Sequence, residues 1–212
     1  MPDKFVVRLA VPEDAGALLE IYAPFVVSPD RNISDVSFEY TEPSVEEFAG
    51  RIKGIGAGFP YLVCEEDGRA VGYVYAHPYI TRAAYQWGAE VTIYLAPEAQ
   101  GRGLGRILYD ALEKLLLLQG IVTLYACVTA SNIHSVKMHE ACGFKIVGTF
   151  KKTGYKHGHW LDMVWMEKVI ADHPAAPKLV KSIKKVPESE IAAILKAAAE
   201  AAAAHAAPKP SA

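Results

Sequence analysis

The chain has 212 residues, which is enough for one well-packed domain with an appendage. Its formal net charge is −2 and its sequence pI is about 6.4, so its composition does not favour a nucleic-acid binder. We find no apolar run typical of a signal peptide or of a membrane span. The cysteines Cys64, Cys127 and Cys142 lack metal-ligand spacing and predict reduced thiols. We therefore expect a cytoplasmic protein whose partners include neither nucleic acid nor membrane.

The first part of the chain predicts a strand, two helices and a hairpin. Residues 4–10 (KFVVRLA) are rich in β-branched side chains, which favour a strand. Ser44 and Glu47 form a capping-box pattern that begins the second helix. Asp67 and Gly68 then form a two-residue turn between two strands, YLVCEE and RAVGYVYAHPY. The first helix is predicted from the spacing of its apolar residues: Leu18, Leu19, Tyr22 and Phe25.

The middle of the chain alternates strands with helices. AEVTIYLAP predicts a strand with Glu90, Thr92 and Tyr94 on one face. A glycine-rich loop follows, and then a helix from about Gly105 to Leu118. The segments IVTLYACVT, SVKMHEAC, FKIVGTFKK and HWLDMVWMEKV predict a strand, a short helix and two closing strands. The resulting order, β-α-α-β-β-β-α-β-α-β-β, indicates a mixed α/β fold.

The composition changes near Ile170, where we place a boundary between a domain of residues 1–170 and a tail of residues 171–212. Fifteen of the last 42 residues are alanine, and this block predicts a helix. A loosely attached helix with no chemistry of its own is one interpretation, and a docking helix for a partner is the other. The helix has one narrow apolar face, formed by Ile191, Ile194, Leu195 and Ala198.

Three glycines, Gly101, Gly103 and Gly105, lie in the loop between the fourth predicted strand and its helix. Glycine permits unusual backbone angles and close approach of a ligand, and the amides of a helix N-terminus bind anions. Arg102 and Arg106 add positive charge. The spacing matches neither the G-x-G-x-x-G of dinucleotide sites nor a Walker loop. These residues alone therefore indicate another kind of phosphate site or a glycine-rich turn with no ligand.

The loop and its surroundings carry a resemblance to a known family. Residues 100–105 (QGRGLG) fit the Q/R-x-x-G-x-G/A pattern of the GNAT superfamily of acetyl-CoA-dependent N-acetyltransferases. VRLAVPEDAGALLEIY resembles the family's first strand and helix, and ASNIHSVKMHEACGF resembles its late Asn-helix-Gly-Phe segment. SFEYTEPS, QWGAEVTIYLAPEAQGRGLG and GYKHGHWLD are similar to the phosphinothricin and methionine sulfoximine acetyltransferases. The resemblance covers about residues 3 to 168 and stops at the alanine-rich tail.

The resemblance implies the GNAT acyl-CoA N-acyltransferase fold, a central mixed, twisted sheet flanked by helices. It also implies transfer of acetyl from acetyl-CoA to the α-amino group of a small amino acid or analogue, without a metal. The backbone of one strand would pair with the pantetheine arm and supply the oxyanion donor, and the loop would hold the pyrophosphate. The implied cofactor contacts are Ile93, Tyr94, Leu95, Gln100, Gly101, Arg102, Gly103, Leu104, Gly105, Arg106 and Asn132.

Two residues are candidates for proton transfer. Glu90 is on the strand that leads into the loop, and the resemblance places the matching glutamate at the reaction centre. We interpret Glu90 as a base that acts directly or through water, against the alternative of a solvated carboxylate. His139 occupies a position where many GNAT enzymes have tyrosine, and histidine can serve as base or acid near neutral pH. The alternative for His139 is a histidine that only packs against its neighbours. The sequence does not show how the acid and base roles are divided between Glu90 and His139. His134 is interpreted as a surface residue.

The resemblance places the acceptor pocket around Phe38 and the loop residues Arg82, Ala83, Ala84 and Tyr85. Arg82 suits a substrate carboxylate because its planar fork binds two oxygens, and a solvated loop arginine is the alternative. The herbicide-resistance enzymes carry a lysine two residues before that arginine, where this chain has Ile80. This departure weakens the case for phosphinothricin and leaves methionine sulfoximine, methionine sulfone or another amino acid open.

The segment KHGHWLD places His157, His159 and Asp162 close together in sequence, but their spacing does not define a metal site. We interpret it as a structural or interface hairpin, because relatives in the family pair through this region as homodimers. No cysteine is expected where a covalent acetyl-enzyme would need it, so direct attack in a ternary complex is the expected mechanism. Two alternatives stay open: a protein or peptide N-acetyltransferase with an open groove, and a non-catalytic acyl-CoA-binding module.

Overall fold

The computed structural model describes residues 4–206, apart from the side chain of Asn32. Within this range seven strands form one sheet: β1 (Phe5–Leu9), β2 (Tyr61–Glu66), β3 (Arg69–Pro78), β4 (Gly88–Leu95), β5 (Thr123–Thr129), β6 (Lys145–Lys156) and β7 (His159–Val169). Their order across the sheet is β1-β2-β3-β4-β5-β7-β6. Every neighbouring pair is antiparallel except β4 and β5, which run parallel.

Seven α-helices connect or follow these strands in the described part of the chain: α1 (Ala15–Tyr22), α2 (Pro24–Val27), α3 (Arg31–Ser34), α4 (Val45–Gly56), α5 (Leu104–Gln119), α6 (Ile133–Ala141) and α7 (Glu188–Ala206). The mixed α/β class is confirmed, and the predicted order of strands and helices agrees with the structure. The predicted first helix, which included Phe25, is divided into α1 and the short helix α2, and the short helix α3 was not predicted. Helices α2 and α3 interrupt the long connection between α1 and α4.

The helices cover both faces of the sheet. On β4, the ring of Tyr94 lies 5.0 Å from that of Tyr22 in α1 and 5.0 Å from that of Phe25 in α2. The neighbouring Ile93 lies instead under α5, where its Cδ1 atom would be 3.6 Å from a Cβ atom on Gly105. Successive side chains of a strand point to opposite faces. Helices α1, α2 and α4 therefore lie on one face, and α5 and α6 lie on the other.

Local sequence signals produce the turns and helix ends that were predicted. The Ser44 hydroxyl oxygen accepts a hydrogen bond from the backbone N–H of Glu47 at 3.1 Å, which caps α4. Asp67 and Gly68 both have positive φ, 51° and 80°, as a tight hairpin turn requires. Gly120, with φ of 96°, ends α5 in the left-handed conformation.

The parallel strands β4 and β5 pair over only three residues of each strand. Gly88–Glu90 lie opposite Thr123–Tyr125, and the pairing stops there although both strands continue. On its other edge β4 pairs with β3 as far as Leu95. Backbone groups in the second half of β4 that point away from β3 consequently face an opening between the two strands.

The C-terminal segment packs firmly against the rest of the chain, which differs from the expected loose attachment. The side-chain amide of Gln119 donates to the carbonyl oxygens of Lys181 at 2.7 Å and Gly58 at 2.8 Å. The indole N–H of Trp87 donates to the carbonyl oxygen of Lys178 at 2.8 Å. Helix α7 lies against α5 and β1 and buries four side chains, Ile191, Leu195, Ala198 and Ala202. Helix α7 packs there because α5 and β1 present apolar side chains that are buried against it.

The domain boundary at Ile170 stays a prediction. The first three residues of the chain and residues 207–212 of the predicted tail lie outside the described residues. No helix within residues 4–206 is long and apolar enough to cross a membrane.

Candidate active site

A cleft of about 580 Å³ opens where β4 and β5 diverge. Its volume is within the roughly 300–1,000 Å³ typical of small-molecule sites. The walls are the second half of β4, the end of β5, the loop before α5 and one side of α6. Eleven of the predicted site residues line it: Ile93, Tyr94, Leu95, Gln100, Gly101, Gly103, Leu104, Gly105, Arg106, Asn132 and His139.

The glycine loop has the geometry of an anion site. Gly101 and Gly103 have φ of 70° and 76°, a left-handed conformation that other residues adopt only with strain. Gly103 is the N-cap of α5, and no side chain among the described residues caps this helix. The amides of the first turn are therefore open to an anion, which the helix dipole also favours.

The two loop arginines have different roles in the structure. Arg102 turns away from the cleft and donates two hydrogen bonds, each 2.8 Å, to the carboxylate of Glu66. That guanidinium lowers the pKa of the Glu66 carboxyl. Arg106 is exposed and lines the cleft. Only one of the two predicted arginines thus faces the cleft.

Glu90 lies at the closed end of the opening, at the last residue where β4 still pairs with β5. Its side chain is 21% exposed, and its Oε2 atom is 4.0 Å from Nε2 of His77 on β3. Burial raises the pKa of the Glu90 carboxyl, and a protonated His77 would act in the opposite direction. A carboxylate with a raised pKa is a stronger base, so the position suits proton removal. The side chain is not among those that line the cleft.

His139 is buried in α6 and both of its ring nitrogens have partners. Nδ1 lies 2.8 Å from the carbonyl oxygen of Ser135, which can only accept, so Nδ1 carries the proton. Nε2 then accepts from the hydroxyl of Tyr109 at 2.8 Å. Burial lowers the pKa of His139, outweighing the hydrogen bond to Ser135. His139 is therefore neutral at pH 7, and its basic nitrogen is occupied.

Tyr109 was not predicted as a site residue, yet it lines the cleft beside His139. Burial raises the pKa of its hydroxyl well above the usual value, so it stays a proton donor. Tyr109 lies four residues after Gly105 on α5, one helical turn beyond the loop. That spacing places it on the same side of the helix as the glycine, and it was the available sequence signal.

That no cysteine is placed for a covalent acetyl-enzyme stays a prediction, although two cysteines lie near the site. Cys127 and Cys142 both line the cleft, because β5 and α6 form two of its walls. Burial, followed by the charge of Glu90, raises the pKa of the Cys127 thiol to about 12. Burial also raises the pKa of the Cys142 thiol. Both thiols are protonated near neutral pH and are poor nucleophiles.

The predicted acceptor residues are not brought together. Phe38 packs over Gly154 of β6, where a Cβ atom would lie 2.1 Å from the ring. Residues 82–85 form an exposed turn between β3 and β4. None of these residues lines the cleft, whereas Phe25 and Val36, which were not predicted, do.

The remaining histidines of the sequence analysis lie at the surface or in an ion-pair cluster. His134 is an exposed surface residue, as predicted, and it also borders the cleft. His159 pairs with Asp35, with 3.0 Å between Nε2 and Oδ2, and His157 lies 3.7 Å from the same carboxylate. Among the described residues, no group of three or more His, Cys, Asp or Glu side chains is arranged to hold a metal ion.

Residues 7–165 match the acetyltransferase (GNAT) domain family, and the chain belongs to that family. The phosphinothricin N-acetyltransferase of Alcaligenes faecalis is 38% identical over 164 residues, which cover 76% of this chain and 81% of that protein. The L-methionine sulfoximine/L-methionine sulfone acetyltransferase of Salmonella typhimurium is 28% identical over 169 residues, covering 80% and 96%. A crystal structure of a phosphinothricin acetyltransferase from Sinorhizobium meliloti in complex with AcCoA superimposes with a TM-score of 0.75 at 34% identity, covering 82% of this chain and 94% of that one.

Proposed function

We propose that this chain transfers acetyl from acetyl-CoA to the α-amino group of a small amino acid or analogue, of the methionine sulfoximine, methionine sulfone or phosphinothricin type. The observation that carries the proposal is the opening between β4 and β5, which leads to an uncapped, glycine-rich helix N-terminus. Membership of the GNAT family and the relatives named above support the reaction class and the acceptor class.

The cleft fits the coenzyme in shape and in chemistry. The open backbone edge of Ile93–Leu95 pairs with the amide-containing arm as an added strand would. The loop of residues 100–106 takes the pyrophosphate at the N-terminus of α5. Asn132 caps α6 through its side-chain oxygen, which leaves its N–H₂ group for the arm. When bound, acetyl-CoA supplies an activated acetyl group as a thioester.

In this proposal Glu90 accepts one proton, and the Tyr109–His139 pair supplies another. Glu90 removes the proton from the acceptor's ammonium group, directly or through water, because its buried carboxylate has a raised pKa. The Tyr109 hydroxyl on the opposite wall of the cleft turns its single hydrogen from Nε2 of His139 to the departing coenzyme A thiolate and protonates it. A direct route in a ternary complex fits the protonated state of Cys127 and Cys142.

The acceptor is proposed to enter from the side of Phe38 and Arg82. The Arg82 side chain is exposed and makes no hydrogen bond or ion pair with the described residues, so its guanidinium is available to a carboxylate. Ile80 lies beside it, 36% exposed, and adds no second positive charge. This surface favours an acceptor with one carboxylate over one that also carries a phosphinate.

The same exposure supports a second candidate, an N-acetyltransferase that acts on peptides or proteins. Residues 81–85 are exposed and do not close over the cleft, so an extended chain has access. An assay of thiol release from acetyl-CoA separates the candidates, with free amino acids, methionine sulfoximine, phosphinothricin and short peptides as acceptors. Turnover with peptides alone would exclude the amino-acid proposal. Coenzyme binding without turnover of any amine would leave a non-catalytic acyl-CoA-binding module.

We further propose a cytoplasmic homodimer that pairs through β6 and β7. Six large apolar side chains lie exposed on this hairpin, each at least 47% accessible: Ile146, Val147, Phe150, Tyr155, Trp160 and Val169. Exposed apolar side chains concentrated on one hairpin favour an association site. Sedimentation equilibrium should give twice the 23.0 kDa chain mass, and Trp160→Lys should shift it toward the monomer.

A further inference from the structure

The C-terminal helix ends at the glycine loop. The side-chain amide of Gln119, the last residue of α5, donates to the carbonyl oxygen of Lys181, in the segment that leads into α7. At the opposite end of α5, Gly103 is in contact with His205, in the last turn of α7. The two helices therefore run antiparallel, and their packing brings the end of the tail to the N-terminus of α5.

His205 occupies the space beside Gly103 where a side chain would be. A Cβ atom on Gly103 would lie 2.4 Å from Nε2 and 2.7 Å from Cδ2 of the imidazole. The ring therefore rests directly on the backbone of the loop. It is not among the residues that line the cleft, so it leaves the anion site open.

A further hydrogen-bond donor can contact an anion held by the loop, because only one of the two loop arginines faces the cleft. Arg102 is held by Glu66 and faces away from the cleft, which leaves Arg106 as the loop's cation on that side. His205 is exposed, and its ring makes no hydrogen bond or ion pair with any residue in the described part of the chain. An imidazole N–H with no partner beside an anion site is suited to a phosphate oxygen.

We propose that His205 is a coenzyme-binding residue, which donates a hydrogen bond to a phosphate oxygen of the coenzyme A moiety. This inference rests on the proposed function, because it needs the pyrophosphate in the loop of residues 100–106. The tail then contributes to the site itself and is more than a cover for α5 and β1. Both the pyrophosphate and the 3′-phosphate have suitable oxygens.

The test is the affinity of the full-length protein for three probes, measured by isothermal titration calorimetry: coenzyme A, 3′-dephospho-coenzyme A and pantetheine. His205→Phe keeps a ring against Gly103 and removes the N–H donors. We expect it to weaken coenzyme A binding on the order of tenfold and to leave pantetheine binding unchanged. An equal loss for coenzyme A and its dephospho form assigns the contact to the pyrophosphate. A loss for coenzyme A alone assigns it to the 3′-phosphate.

Lys196→Ala is the matched control, because Lys196 is exposed on the same helix and pairs only with Glu200 among the described residues. It should bind all three probes as the parent does. The inference is overturned if His205→Phe binds all three like the parent, or weakens all three equally. It is also overturned if Lys196→Ala loses as much affinity, since a general perturbation of α7 would then explain the effect. Failure of the parent itself to bind coenzyme A would instead overturn the proposed function.

Discussion

The proposed cofactor end of this molecule (Ile93–Leu95 and the loop of residues 100–106) and the proposed acceptor end (Phe38 and residues 82–85) are built differently. At the cofactor end, one continuous strand-loop-helix segment supplies nearly every group, and the groups line a single cleft. At the acceptor end, Phe38 packs over β6 while residues 82–85 form an exposed turn. The first end is held by backbone geometry, and the second depends on side chains from separate segments.

This difference explains why the sequence predicts the ligand of the cofactor end but not that of the acceptor end. Backbone amides at a helix N-terminus recognise a phosphate whatever side chains surround them. An acceptor pocket is defined by side-chain shape and charge, which small sequence changes alter. Substitutions at the cofactor end should therefore reduce activity with every acceptor, and those at the acceptor end should change acceptor preference.

The largest effect is expected at Gly103. Gly103→Val would introduce a Cβ atom at a residue with φ of 76° and against the ring of His205. We expect coenzyme A affinity to fall by more than roughly 100-fold, since strain and displacement of the loop act together. The control is Gly50→Ala in α4, where no atom beyond the adjacent helix backbone lies within 4 Å of the new Cβ. Calorimetry should find its affinity unchanged. A tolerant Gly103→Val variant would contradict the backbone account of the cofactor end.

Glu90→Gln should act on catalysis alone. Loss of the base should lower kcat by roughly 100-fold with every acceptor, and coenzyme A affinity should stay within twofold or so of the parent. In the parent, activity should rise as the pH increases through the raised pKa of Glu90, because the ionised form is the base. Steady-state kinetics across pH check both points. An unchanged kcat would remove Glu90 from the mechanism.

Lys156 tests how the acceptor end is held in place. Its buried ammonium donates to the carbonyl oxygens of Val26, Ser34 and Ser37, at 3.0, 2.5 and 2.6 Å. Lys156→Met leaves these carbonyls without a donor, so the free energy of unfolding should fall by about 3 kcal/mol in urea titration. The exposed Lys145 on the same strand provides the control, Lys145→Met, with a change of less than about 0.5 kcal/mol. Equal stability of the two variants would show that the segment from Val26 to Ser37 is held by other contacts.

Arg82→Ala should separate the two ends most directly. We expect KM for an amino-acid acceptor to rise by roughly threefold to tenfold, because an exposed guanidinium contributes less than a buried one. KM for acetyl-CoA should not change. The exposed Arg69, which lies 3.6 Å from Glu98, gives the control Arg69→Ala. If Arg82→Ala raises the acetyl-CoA KM instead, the division between the two ends is wrong.

The smallest effect concerns the stability contributed by His139. Its pKa is lower in the folded than in the unfolded chain, so between these two values the unfolded state binds more protons. Stability is therefore fully retained above the unfolded pKa near 6.5 and declines as the pH falls below it. His139→Gln should remove that part of the pH dependence of Tm, which differential scanning calorimetry can measure. An identical slope in both proteins would contradict a neutral, buried His139.

Much of the architecture was predictable because its signals are local. Ser44, the Asp67-Gly68 turn and Gly120 each fix a helix end or a turn through their own backbone geometry. The glycine loop was predictable for the same reason. Helix α3 was not, because it has only four residues and no periodicity to detect.

What only the tertiary structure decided concerns pairs of residues that are distant in the chain. Arg102 turns to Glu66, the hydroxyl of Tyr109 donates to His139, and His205 reaches Gly103. None of these contacts has a sequence spacing that could reveal it, since each depends on how the strands and helices pack. The sequence by itself determined the order of elements, the glycine-rich loop before α5 and the family. Packing decided which side chains face the cleft, because burial and partner charges act across the sheet rather than along the chain.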